Sequence, residues 1–122
     1  MTIKDPILAW LVRNCDVADT YSEENEAYFY GTYLGRKIRY GTHQETRVDI
    51  GDGDFDRWAN SVAVSFTPAV DGFPTQLRRA IFCAMSLKKN CTYINLNDIG
   101  FGDDVSIEVF RKSLQQAEAA AD

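Results

Sequence analysis

The chain has little of what small enzymes and metal proteins usually depend on. Its 122 residues include one histidine, His43, and three cysteines, Cys15, Cys83 and Cys91, at wide and irregular spacing. Zinc needs three or four ligands, commonly in closely spaced pairs, so no metal is expected. An odd, unpatterned set of cysteines does not describe a disulfide framework. Cys83 falls inside an apolar helical pattern, where a free thiol behaves as a small hydrophobe. A cysteine–histidine nucleophilic pair has no local signature here, and His43 sits in a predicted polar turn. No Walker-type phosphate loop occurs, and Gly100-Phe101-Gly102 lacks the third glycine of a dinucleotide fingerprint. No catalytic residue and no cofactor are therefore expected. No run approaches the roughly twenty apolar residues of a membrane span. Met1 to Asp5 leads directly into an amphipathic segment, so a cytoplasmic protein is expected. The sequon Asn90-Cys91-Thr92 is then a chance match.

What is present suits one globular domain. Hydrophobic residues make up 45% of the chain and charged residues 25%. A single domain spanning residues 1–122 would bury roughly two thirds of its unfolded surface, enough for a core without staples. The 18 acidic and 13 basic side chains give a formal charge of −5. A net negative chain repels phosphate backbones, so no direct nucleic-acid binding is expected; solubility or a basic partner surface fits the charge better.

Periodicity orders the elements. Asp5-Pro6 is a capping acid followed by a residue suited to the first helical turn, and Ile7, Leu8, Leu11 and Cys15 recur at helical spacing, predicting a helix from Asp5 to Cys15. The polar stretch DVADTYSEEN shows no period and reads as a loop. EAYFYGTYL then alternates Ala27, Phe29, Gly31 and Tyr33 against Tyr28, Tyr30, Thr32 and Leu34, a strand with rings on both faces. RKIRYG follows across a glycine turn as its hairpin partner. ETRVDI reads as a third strand, with Val48 and Ile50 assigned to opposite faces, and SVAVSF as a half-buried fourth. Phe73-Pro74 introduces the strongest helix, carrying Leu77, Ala80, Ile81, Ala84, Met85 and Lys88, with Phe82 alongside. CTYINL is a fifth candidate strand, and Asp103 and Asp104 cap a last helix bearing Val105, Val109, Phe110 and Leu114. The expectation is an α+β fold: an antiparallel sheet of four to five strands covered by about three helices, in the order α-β-β-β-β-α-β-α.

The stretch DIGDGDFDRW, Asp49 to Trp58, is the densest acidic segment. As a calcium loop starting at Asp52 it supplies Asp54 and Asp56. It then offers Arg57 where a glycine is required and Ala63 where a chelating glutamate is required. Paired catalytic carboxylates need contrasting environments, whereas these acids alternate along one short segment. A solvated turn is the plainer reading. The sharper one is an acidic lip beside Trp58, with charge for steering and a ring for anchoring. Arg36, Lys37, Arg39 and Arg47, near Tyr33 and Tyr40, could form a single-stranded nucleic-acid platform, but a solvated sheet edge guarded by cations is preferred.

The stretch RWANSVAVSFTPAVDGFPTQLRRAIFCAMSL, about a quarter of the chain, resembles small phage-encoded domains of the ABA-sandwich type. In these, a strand closes before a proline-introduced, alanine-containing helix. The resemblance carries over no active residue. It implies a phage or mobile-element accessory protein, a group that includes anti-CRISPR proteins.

A non-enzymatic inhibitor is thus expected, binding a basic surface of a host protein or nucleoprotein complex in nucleic-acid-handling defence. Its working residues would be Asp49, Asp52, Asp54, Asp56, Glu23, Glu24 and Glu26, with Trp58, Tyr28 and Tyr30 as anchors. The carboxylates would take the place of phosphates. Alternatives are an immunity protein neutralising a cationic toxin nuclease, or a small ligand-binding or enzyme domain with a pocket between sheet and helix.

Overall fold

Helix α1, Pro6–Asn14, begins where the chain's first capping acid predicts. The Asp5 carboxylate accepts from the amides of Ile7 and Leu8 at 2.9 and 3.1 Å, satisfying two of the donors that a helix start leaves open. The computed structural model describes residues 4–51, 64–86, 94–97, 112 and 115. Within them the order is α1, β1 (Asp16–Glu23), β2 (Glu26–Tyr33), β3 (Arg36–Gly41), β4 (Arg47–Gly51), β5 (Val64–Phe66), α2 (Phe73–Ser86) and β6 (Ile94–Asn95).

The strands form one sheet in chain order, β1-β2-β3-β4-β5-β6. The first five pair antiparallel, and β6 adds parallel to β5 after α2. An α+β architecture with a largely antiparallel sheet is therefore present, with six strands and two helices among the described residues. Of the expected last helix only Lys112 and Gln115 are described, both helical. The expected strand content of residues 61–63 and 91–93 also lies outside the described residues.

Register puts the core on one face. Phe29 lies opposite Tyr40, Tyr40 opposite Val48, and Val48 opposite Phe66; Gly31, Ile38, Ile50 and Val64 form the adjoining row. Val48 and Ile50 therefore share a face, correcting the assignment to opposite faces: a strand's side chains alternate with period two. Leu8 and Leu11 of α1 and Phe73, Leu77, Ala80 and Ile81 of α2 close over that face. The ring of Trp10 meets Tyr33 and Phe73 edge-on, both at 5.5 Å, joining the two helices. Each large side chain buried in this way contributes about 2 kcal/mol. Met85 and Phe82 do not join them; both are exposed on α2, while Cys83 is buried as expected.

Two further expectations are corrected. The stretch read as a loop is β1, an eight-residue strand paired along β2, with a bulge between Val17 and Asp19. Its low strand propensity is overridden by the ladder that β2 offers. The cation-guarded edge is also displaced: β3 and β4, which carry Arg36, Lys37, Arg39 and Arg47, are interior strands, and β1 is the edge. Leu34 and Gly35, with φ of 52° and 77°, make the two-residue turn between β2 and β3.

Candidate acidic edge and outer face

The sheet face opposite the core carries Asp19, Tyr21 and Glu23 from β1, Glu26, Tyr28 and Tyr30 from β2, Arg39 from β3, and Arg47 and Asp49 from β4, as their pairings require. Strand alternation alone brings these residues together, and they fall into two zones of different character.

The inner zone is charge-compensated. Asp49 is only 4% exposed. Its Oδ2 accepts from Arg39 Nη2 at 3.2 Å and from Arg47 Nε and Nη2 at 3.1 and 3.0 Å. Arg47 also meets Glu45 at 3.2 Å. Asp49 thus binds two guanidinium groups instead of standing on a docking surface. Its other oxygen, Oδ1, is buried without a hydrogen-bond partner. A cleft of about 220 Å³ opens here, with Tyr28, Arg39, His43, Glu45, Arg47 and Asp49 in its lining.

The outer zone is acidic. No lysine or arginine occurs from residue 14 to residue 35, which hold Asp16, Asp19, Glu23, Glu24 and Glu26. Removing these five from the 18 acidic side chains leaves 13, matched by the 13 basic ones. Residues 14–35 therefore carry a formal charge of −5 with no cation among them, and the rest of the chain balances to zero. Every residue of β1 is exposed, as are Glu24 and Asn25 at the hairpin turn. Tyr21 and Tyr28 stack across the hairpin at 5.7 Å and 23°. Glu26 is partly covered and meets His43 Nδ1 at 2.7 Å. A hydrogen bond to Glu26, followed by desolvation and neighbouring charge, raises the Tyr21 phenol above its ordinary value.

Of the residues expected to bind a partner, Glu23, Glu24, Glu26 and Tyr28 gather at one end of the hairpin, and Tyr30 lies half-buried beside them. Asp49 belongs to the arginine cluster. Asp52, Asp54, Asp56 and Trp58 lie outside the described residues. Sequence reading missed Asp16, Asp19 and Tyr21 because they fall in the segment taken for a loop. A charge count in a sliding window would have found the two aspartates, whereas Tyr21 carries no charge to count. Among the described residues no three of histidine, cysteine, aspartate and glutamate converge as a metal set, and no helix is long and apolar enough to cross a membrane.

Compared with protein-family models, with curated proteins and with solved structures, the chain matches none.

Proposed function

We propose that this chain is a non-enzymatic binding protein whose acidic β1–β2 hairpin covers a basic surface on a nucleic-acid-handling protein. The observation that carries this reading is the cation-free acidic stretch on the terminal strand of the sheet and its hairpin turn, every residue of β1 being exposed. A uniformly charged surface would serve solubility alone. Concentration of one sign on an edge, beside a tyrosine pair, supplies steering toward cations and ring area for contact. The resemblance to phage accessory domains directs the proposal to a host defence complex as the partner, with anti-CRISPR-like inhibition as the outcome. Neutralisation of a cationic toxin nuclease would use the same surface.

The test is capture from bacterial lysate with the tagged chain, followed by competition. The expected result is a basic, nucleic-acid-binding protein whose hold on DNA or RNA is lost when the chain is added. It is not captured by a variant carrying Asp16→Asn, Asp19→Asn, Glu23→Gln and Glu24→Gln. Equal capture by the variant overturns the proposal.

A second reading, a small-ligand domain, is favoured by the cleft at Asp49, where a buried acceptor lacks a donor. A ligand-dependent rise in Tm that is lost in Asp49→Asn would support it.

A further inference from the structure

We infer that β1 receives its partner as an added strand: an extended segment with lysine or arginine at alternate positions pairs main chain to main chain along Asp19–Glu23. This rests on the acidic-hairpin reading and specifies how that surface is used.

The backbone direction follows from hydrogen bonds on the far side of β2. Ala27 donates to Thr42 Oγ1 at 2.9 Å and accepts from the Thr42 amide at 3.2 Å, so both of its main-chain groups face β3. Ser22, directly opposite Ala27, is then in a non-hydrogen-bonded pair, with its N–H and C=O pointing away from β2. Alternation gives Thr20, opposite Phe29, the same outward direction, and Tyr21 the inward one. The bond from Thr20 Oγ1 to the Tyr28 carbonyl at 2.8 Å agrees, since it requires that carbonyl to face β1. Thr20 and Ser22 thus present a row of donors and acceptors on the terminal strand of the sheet, and all of β1 is exposed.

Charge selects the occupant. Asp19, Tyr21 and Glu23 project on one face of this stretch, where every second side chain of an added strand would meet them. Cationic side chains there form cross-strand pairs. A second copy of this chain would set carboxylate against carboxylate, and the bulge at Val17 and Asp19 further interrupts self-pairing. The same features that keep the edge from joining its own kind favour a basic strand. Strand addition is a general recognition mode, with affinity from the main chain and specificity from alternate side chains.

The probe is a capped peptide with lysine at every second position and valine or threonine between, titrated against the full chain. Its control is the same sequence with alternate amides N-methylated, which keeps charge and removes main-chain donors. Strand addition predicts that the control binds about tenfold more weakly, and that Ser22→Pro, tolerated on an outward-facing edge position, weakens the unmethylated peptide similarly. Equal binding of both peptides, with loss on adding salt, overturns strand addition and leaves acidic docking in place. Binding of neither peptide, or affinity unchanged in Asp19→Asn with Glu23→Gln, overturns both. Self-association of the chain through β1 also overturns the inference.

Discussion

The hydroxyl of Tyr40 donates to Asp5 Oδ2 over 2.7 Å, joining residues 35 positions apart. One carboxylate thereby caps α1 through Oδ1 and anchors that helix to the middle of the sheet through Oδ2. Asp5→Ala should lower stability by about 2 to 3 kcal/mol, combining a lost cap with a stranded phenol. Tyr40→Phe should cost about 1 to 2 kcal/mol. In a double-mutant cycle by urea unfolding the two should be non-additive by about 1 kcal/mol or more. Strict additivity would show that the bond is not formed.

Asp49 offers a second stability test. Removing it leaves Arg39 and Arg47, each about one-third exposed, facing one another without their shared acceptor. Asp49→Ala should destabilise by about 2 to 3 kcal/mol, below the usual cost of breaking a fully buried pair because water screens the two cations. Asp49→Asn, which keeps an acceptor, should cost less. A midpoint unchanged in urea would exclude Asp49 as the organiser of this zone.

Leu34 holds φ of 52° while 61% exposed, so it bears turn strain without compensating burial. Leu34→Asn should raise stability by about 0.5 to 1 kcal/mol, since asparagine tolerates this backbone region. The measurement is Tm by calorimetry. A fall in Tm would contradict the turn geometry.

Burial, and then the neighbouring Asp16 charge, moves the Cys15 thiol from 9.0 up to about 11. The fold therefore favours the neutral thiol. Its contribution is complete below pH 9 and is lost as pH rises toward about 11, because the unfolded chain ionises first. The urea midpoint should fall across that window more steeply for the natural chain than for Cys15→Ser. Parallel curves would show that the thiol is not sheltered.

Much of this fold was legible because local chemistry and packing agree. Asp5-Pro6 foretold the start of α1, and alternation from Ala27 to Tyr33 foretold β2, while the rings on both of its faces hid which one is buried. β1 was not legible, since its side chains are all exposed and its strand character comes from pairing with β2. The candidate site was partly legible for the same reason. Glu23, Glu24, Glu26 and Tyr28 lie where composition drew attention, while Asp19 and Tyr21 join them only once β1 is a strand. Asp49 was misleading because charge density along a sequence does not reveal whether a carboxylate points to solvent or into two guanidiniums.

The most direct measurement is the association rate of the captured basic partner with the natural chain and with two charge variants. These are the hairpin set (Asp16→Asn, Asp19→Asn, Glu23→Gln, Glu24→Gln) and the turn set (Asp52→Ala, Asp54→Ala, Asp56→Ala). Raising salt from about 0.1 to about 0.5 M should slow the natural chain at least about tenfold, and the hairpin set should remove most of that dependence while the turn set removes little. A rate indifferent to salt, or one governed by the turn set alone, would contradict docking through the acidic edge.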